Sequence, residues 1–400
     1  MIYKIGDSII SPFGSSTEDN YVAVLSGLSS IELHPTGTRG VPFPFAASLM
    51  NPLQLEDFAS AFMGAGTHLV SRMRQAMAAA LGEAMLASIV PSFKEQIFRQ
   101  KRVLVIVCTT KGNVESLDNN KEGTFVSPRA YSWHIAQHHM ESLHMTNKPV
   151  VLTSTAISGL QAQLLALRLL DTFDRYDYAV VIGVELVQKL ALQGFQSLGV
   201  LSDKRCKPYD ENRKGMNLGE AAACVIYASS KAYERDKAFF QQKRNTIALV
   251  AGKCTCDAYA IDHPSPSGEG LYMALSAVKK DIRTRDIAFI NGNGAGLLAP
   301  DEAESVAIER AGLSKIPLNS YKANFGYSSG TAGLIESIVS CRAFEDNVLL
   351  PTLGYERKGV TGAINVASGK PTWLSKRKPY FIKSNSGYGG LNAALLFTKL

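Results

Sequence analysis

Short apolar runs alternate along this chain with longer stretches of helical spacing, and one junction between the two organises the rest. Val150-Val151-Leu152 ends in the small hydroxyl residues Thr153-Ser154-Thr155 and leads into an almost wholly apolar pattern from Ala156 to Leu170. Helical periodicity selects no wet face on Leu160-Gln161-Ala162-Gln163-Leu164-Leu165-Ala166-Leu167, which predicts a largely buried helix. A buried strand feeding a buried helix sets the turn between them at a helix N-terminus. Unpaired N–H groups and the helix dipole there favour developing negative charge. An enzyme would seat a thiolate at such a point. The residue at that point is Ala156, which has no reactive group.

The same reading extends along the chain. Residues 2–10 predict a strand, and Ser16-Thr17-Glu18-Asp19 opens a helix with capping residues. Residues 34–54, rich in Pro, Gly and Phe, predict an irregular loop. Leu69, Met73, Met77, Ala80, Leu81 and Met85 follow helical spacing between Met63 and Ala87, with Met as core filler. Arg102 to Thr109 and Tyr178 to Glu185 predict strands covered on both faces. Residues 127–144 predict a helix with Pro128 in its first turn. His134 and His138 there have the i,i+4 spacing of a metal pair, but no third ligand is placed nearby, so packing or interface use is expected. Gly215 and Gly219 mark a turn before an apolar strand, and residues 230–245 predict a polar surface connection. Further strands are expected at Thr246–Cys256, Asp286–Asn291, Ile316–Ser320, Lys378–Lys383 and Ala393–Phe397. Helices are expected at Asp301–Arg310 and Thr331–Phe344. Strands alternating with helices predict an α/β protein with predominantly parallel sheets. The similar order of elements in residues 1–240 and 241–400 suggests an internally duplicated fold of two βαβ-rich halves.

Composition narrows the class. The 400 residues are 46% hydrophobic and 19% charged with a net charge of +7, ordinary values for a soluble α/β protein. No apolar run reaches the length of a membrane span, and the first seven residues lack the pattern of a secretory leader. The six cysteines sit mostly in apolar runs, so reduced thiols and a cytoplasmic location are expected. No Cys/His spacing fits zinc, and neither a metal nor a cofactor is expected. Basic clusters at Lys94, Arg99, Lys101 and Arg102 and at Lys376-Arg377-Lys378 read as solvated element ends or as a docking patch for an acidic partner. Aromatics are not interleaved with them, so no nucleic-acid partner is expected.

Several motifs in order resemble those of the β-ketoacyl-[acyl carrier protein] synthase family. They are Pro208-Tyr209-Asp210, Arg213-Lys214-Gly215 and Leu218-Gly219-Glu220-Ala221-Ala222. Then come Lys322, Gly326, Gly330, Ala332-Gly333 and Glu336, and finally Gly387-Tyr388-Gly389-Gly390 with Asn392. The resemblance runs from residue 2 to the C-terminus. It implies the thiolase fold, a five-layered αβαβα sandwich. It also implies a Cys-His-His site in which the Cys accepts an acyl chain as a thioester. The two His promote malonyl decarboxylation and stabilise the enolate. Carried onto this sequence, the three positions are Ala156, Asn293 and Tyr327, with Lys322, Asp301, Glu304, Glu336 and Tyr388 as retained neighbours. The backbone donors of residues 156 and 388 correspond to the family's oxyanion hole. No histidine follows His263. Asn293 cannot shuttle a proton, and Tyr327, with an ordinary pKa of about 10, only donates.

Family members lacking this triad are chain length factors, which pair with an active ketosynthase and complete its acyl tunnel. The resemblance therefore implies a non-catalytic subunit of a type II polyketide or aryl-polyene-like system, inactive alone and meeting the acyl carrier protein through its partner. It also places helix 127–144 at the dimer interface. Tyr131, His134, Ile135 and His138 share one face of that helix; they either line the partner's tunnel or pack the interface. Two other readings stay open. One is a condensing enzyme with a relocated nucleophile, Cys108 or Cys206, and His263 as base; the run Lys204-Arg205-Cys206-Lys207 would lower the Cys206 pKa if that thiol lies on an exposed loop. The other is a homodimeric module that binds an acyl or carrier ligand without chemistry.

Overall fold

The computed structural model describes residues 1–53, 55–57, 80, 84, 102–114, 130–142, 147–172, 174–240 and 245–400. Eleven strands of the described residues join in one mixed sheet. In chain order they are β1 (Ile2–Ile10), β2 (Val103–Cys108), β3 (Val150–Leu152), β4 (Tyr178–Glu185), β5 (Ala221–Ser229), β6 (Ile247–Cys256), β7 (Ile287–Asn291), β8 (Pro317–Asn319), β9 (Asn365–Val366), β10 (Tyr380–Gly387) and β11 (Leu391–Lys399).

The sheet has two halves with one pattern. In the first, β3, β2 and β4 run parallel, then β5 and β1 follow antiparallel. In the second, β8, β7 and β10 run parallel, then β11 and β6 follow antiparallel. The expectation of predominantly parallel sheets is thus corrected. Each half ends in an antiparallel pair: β10 and β11 form a hairpin, and the longer connection between β4 and β5 also returns the chain in the opposite direction. Only Ile2–Leu249 and Tyr3–Ala248 join β1 to β6.

Alternation along the strands shows why five layers form. Leu104, Ile106, Cys108, Ala179 and Val181 face an inner core shared with Phe289, Phe381 and Phe397 of the other half. Val103, Val105, Val107, Tyr178 and Val180 face an outer core, and Ile290, Ile382 and Leu396 a second outer core. With period-two side chains and both faces covered, the strands are near-continuously apolar. Two helices fill the middle layer, α3 (Ser158–Thr172) and α8 (Ser329–Glu345). They cross at glycines: a Cβ on Gly159 would lie 2.8 Å from the Leu334 nitrogen, and one on Gly333 would lie 2.9 Å from Leu160 Cγ. Helices α5 (Glu269–Val278) and α6 (Leu298–Arg310) cover the second half from outside, and the short helix α7 (Lys322–Phe325) leads into α8.

Most expected elements are present within one or two residues. Ser16 and Asp19 form a reciprocal capping box on helix α1 (Thr17–Leu25). Helix α2 covers Ser132–Ser142, inside the expected 127–144; residues 127–129 and 143–144 lie outside the described residues. Of the helix expected at 63–87, only Ala80 and Ala84 are described, both helical and buried. The loop expected at 34–54 contains a strand, Phe45–Ser48, held by parallel pairing of Ala47 with Leu218 and Ser48 with Gly219. The expected connection 230–245 begins with the helix Ser230–Asp236, capped by the Ser229 hydroxyl. Among the described residues no helix is long and apolar enough to cross a membrane.

Candidate active site

The loops that leave the C-terminal ends of β3, β7 and β10 meet between the two halves. After β3, helix α3 begins at Ser158, two residues later than expected, so Ala156 sits in the turn itself. The Ser158 hydroxyl accepts the Ser154 N–H at 2.8 Å and donates to the Thr155 carbonyl at 2.6 Å, which locks the turn. Thr155 is held at φ 44, a left-handed conformation that is strained for a β-branched residue. Helix α4 (Lys189–Ser197) faces this elbow.

The hairpin β10–β11 brings its glycine turn onto the elbow. A Cβ on Gly387 would come within 2.3 Å of Thr155 Oγ1 and 3.1 Å of the Ala156 nitrogen, so only glycine fits. Asn385 Nδ2 donates to the Ala156 carbonyl at 3.4 Å. Tyr388 is thereby set beside Ala156, its ring 5.7 Å from that of Phe195 on α4.

Tyr327 is almost fully buried. Its backbone N–H donates to Asn217 O at 2.7 Å and its hydroxyl to Ser386 O at 3.3 Å. Burial pushes the phenol well above its ordinary pKa, so it stays a donor. Asn293 is buried after β7; its N–H donates to Glu304 Oε1 at 2.7 Å, and its Oδ1 has no hydrogen-bond partner among the described residues. Glu304 also accepts the Gly294 N–H and the Tyr209 hydroxyl, both at 2.8 Å. Asp301 accepts N–H groups of Tyr209, Ala295 and Gly296. Burial pushes the Asp301 carboxyl up to about 6, against the pull of the Tyr209 and Ala295 N–H groups. The two acids on one turn of α6 thus hold the whole Asn293–Gly296 loop.

Behind that loop lies a buried charge cluster. Glu336 pairs with Lys322 Nζ at 2.5 Å and with Lys383 Nζ at 2.8 Å. Lys383 also donates to the carbonyls of Ser384 at 2.8 Å and Gly292 at 3.1 Å. Burial lowers its ammonium to about 8, opposed by Glu336. Lys322 Nζ stands 5.2 Å from the Tyr327 ring centroid. Sequence reasoning singled out Lys322 and Glu336 but missed Lys383. Its signal was a lysine within the apolar strand Tyr380-Phe381-Ile382-Lys383, which only a buried partner explains.

Two cavities meet at Tyr327 and Tyr388, which line both. A narrow slot of about 50 Å³ runs between Asn293, Leu271, Leu297, Ser386 and the Asp262–His263 pair. A pocket of about 580 Å³ lies on the other side, against Ala156, Thr155, Lys111 and α4. The structure thus gathers Ala156, Asn293, Tyr327 and Tyr388 around one centre, with Lys322 and Glu336 behind it. A larger cavity, about 1410 Å³, lies at the far end of α8 beside Arg342 and Trp373 and holds none of these residues.

The other candidates lie elsewhere. Cys206 is buried, against the expectation of an exposed, acidified thiol. Burial and the Asp301 charge push it up to about 12. The neighbouring cations fail because their charges stand in water while the sulfur does not. Cys108 is likewise buried and its thiol pushed far up. His263 is exposed at the slot's mouth, its Nδ1 2.7 Å from Asp262 Oδ1. Tyr131, just before α2, and Trp133 on it are exposed with rings 6.2 Å apart, and the Trp133 and His134 rings are 5.6 Å apart. Ala136 and Met140 are the buried pair, on the other side of the helical wheel from positions 131, 134, 135 and 138. The side chains of Ile135 and His138 lie outside the described residues. Among the described residues no three His, Cys, Asp or Glu side chains are placed to share a metal ion.

Comparison with known proteins assigns the chain to a class. The N-terminal domain of β-ketoacyl synthases matches residues 2–232 and the C-terminal domain residues 247–356. The chain belongs to the β-ketoacyl synthase family. It is 31% identical over 237 residues to 3-oxoacyl-[acyl-carrier-protein] synthase 2 of Rhizobium meliloti, covering 56% of this chain and 54% of that protein. It is 28% identical over 213 residues to nodulation protein E of Rhizobium leguminosarum bv. trifolii, covering 52% and 51%. The chain spans about half the length of the curated relatives it matches. Among solved structures it resembles a β-ketoacyl synthase from Burkholderia phymatum, with TM-score 0.81, 20% identity, and 100% and 99% of the chains covered. It also resembles a ketosynthase in complex with its chain length factor from Xenorhabdus doucetiae, with TM-score 0.77, 20% identity, and 100% and 98% covered. The ishigamide ketosynthase/chain length factor gives TM-score 0.78 at 20% identity, with 99% and 98% covered. At these identities the structures establish the thiolase-like ketosynthase fold.

Proposed function

We propose that this chain is a chain length factor-like subunit, a non-catalytic partner that completes the acyl tunnel of an active ketosynthase in a type II polyketide or aryl-polyene-like system. The observation that carries the reading is Ala156 in the strained turn at the head of a buried helix, the place a thiolate would occupy. Asn293 and Tyr327 stand around the same centre, and the imidazole that lines their slot, His263, is exposed at its mouth beside Asp262, so on this reading neither proton transfer nor thioester formation is served at Ala156. Two of the similar structures pair a ketosynthase with such a factor.

In this reading α2 faces the partner, and Tyr131, His134, Ile135 and His138 lie along the partner's tunnel or close it. The acyl carrier protein is met through the partner. Lys322, Glu336 and the acids of α6 hold the scaffold rather than the chemistry.

The test is purification of the chain from its native cell, identification of what co-purifies, and incubation of the chain alone with acyl- and malonyl-carrier thioesters. A co-purifying ketosynthase and an unacylated chain are expected. Stoichiometric acylation, or condensation at a useful rate by the chain alone, would make it a β-ketoacyl synthase in its own right.

A further inference from the structure

We infer that the chain carries a docking surface for anionic lipid, built from Trp373 and the lysines and arginine that flank it in residues 370–378. The surface lies away from the centre at Ala156 and does not depend on the function proposed above.

Charge is spread unevenly along the chain. Residues 357–400 contain eight Lys and Arg and no Asp or Glu, against 42 and 35 in the whole chain. The other 356 residues therefore hold 34 cations and 35 acids, a net charge of −1, and the +7 excess comes from this last stretch. Within it Lys370, Lys376 and Arg377 are exposed and Lys378 is half-buried. None of these four side chains forms an ion pair or a hydrogen bond among the described residues. Lys399 adds a fifth cation: burial and then the charge of Lys376 lower its ammonium, against Glu345. The acids lining the adjoining cavity are already answered, Asp7 and Glu345 by Lys4, and Glu18 and Asp346 by Arg342. The cations of residues 370–378 thus form a field without a counter-ion.

Trp373 supplies the apolar anchor. It is 83% exposed, more than any other aromatic side chain among the described residues. It is also held in place: Val348–Leu349 pairs antiparallel with Thr372–Trp373, and the Leu374 N–H donates to Asn347 O at 2.7 Å. Trp373, Leu374 and Lys376 share the rim of one cavity. A specific protein partner needs roughly 1,000 Å² of buried surface with a packed apolar centre, which one indole beside Leu374 does not supply. Single-stranded nucleic acid needs several stacking rings. A lipid surface requires no shape complementarity: unpaired Lys and Arg are drawn to anionic headgroups, and an indole settles at the headgroup boundary. Helix α8 sets the orientation, because Ser329 at its start lines the pocket at Ala156 and its last turn lines the cavity beside Trp373. Its 17 residues put about 25 Å between the two, so docking leaves the pocket uncovered.

Co-sedimentation of the full chain, with any subunit that co-purifies, tests the proposal on vesicles of phosphatidylcholine alone or with about 30% phosphatidylglycerol. Binding to the anionic vesicles only is expected, and it should weaken as salt is added. Lys376→Gln, Arg377→Gln and Lys378→Gln together are expected to weaken it roughly a hundredfold, at about fivefold per cation. Lys204→Gln, Arg205→Gln and Lys214→Gln remove the same charge from exposed positions elsewhere and are expected to leave binding unchanged. In a Trp133→Phe background Trp373 is the sole tryptophan, and its emission is expected to move to shorter wavelength on anionic vesicles. Trp373→Ser should weaken sedimentation with the circular dichroism unchanged. No binding, equal binding to both vesicles, or equal losses from the two triple variants overturns the lipid surface. Tighter binding of poly-glutamate than of vesicles, without the emission shift, overturns it too and assigns the patch to an acidic protein.

Discussion

The two halves of the sheet deliver their loops to one centre in very different electrostatic states. In the first half the loop after β3 is uncharged: Ala156, the Thr155 hydroxyl and the Ser158 bonds that shape the turn. In the second half the loop after β7 is gripped by Glu304 and Asp301 and backed by Lys322, Glu336 and Lys383, all buried. The contrast teaches that a reactive side chain and a structural charge are lost at different costs. A small apolar residue such as Ala156 at the head of a buried helix leaves no group unpaired. Removing one buried charge strands its partners in a medium of low dielectric. On the proposed reading, this difference in cost lets the reactive groups go while the charged frame behind them persists.

The sharpest way to break this contrast is Glu336→Gln. It leaves the Lys322 and Lys383 ammonium groups without a counter-charge, and a loss of about 3–5 kcal/mol is expected by urea unfolding. Unfolding with wild-type stability would mean that the cluster is not a frame.

Lys383→Met tests the other side of the same cluster, since Glu336 keeps Lys322. The folded-state value of Lys383, about 8, lies below its unfolded value. The cost of its charge is thus fully present below about pH 8 and is relieved as pH rises toward about 10.4. Wild-type stability measured against Lys383→Met should rise across that window by a few kcal/mol, on the order of the shift at about 1.4 kcal/mol per unit. A flat difference from pH 7 to 10 would show that the ammonium is not penalised.

Tyr327→Phe removes only the bond to Ser386 O, so a loss of about 1 kcal/mol is expected, measured by the same unfolding. The last variant, Ala156→Cys, is read by activity more than by stability. One sulfur at the rim of an existing pocket should change stability by less than about 1.5 kcal/mol. The new thiol should be alkylated by iodoacetamide, yet the variant should not condense acyl units, because Asn293 and Tyr327 supply no base. Condensation by this single variant would show that the first half alone had lost the chemistry.

Much of the frame was legible in the order of residues. The capping box at Ser16, the covered strands Val103–Cys108 and Tyr178–Glu185 and the buried helix after β3 follow from periodicity and local hydrogen-bonding chemistry, which act within a few residues. Ala156, Asn293 and Tyr327 were placed by motif order alone, and the structure sets them around one centre. The strand Phe45–Ser48 was hidden because its pairing comes from Leu218 and Gly219, far along the chain. Cys206 misled because charge in sequence is not charge in space: its basic neighbours point outward and the thiol inward. Lys383 was overlooked because a lysine inside an apolar strand has no meaning until its counter-ion is known.

By itself, then, the sequence determined most of the strands and helices, suggested that they repeat in two halves, and set a methyl group at position 156. These are matters of period, capping and side-chain identity. Only the tertiary structure decided that Glu336 answers two lysines, that the buried Thr155 hydroxyl in its strained turn finds no partner among the described residues, and that Tyr327 with Tyr388 divides the site in two. Each of these depends on which distant groups share a small, dry volume, and that is settled by packing rather than by neighbours along the chain.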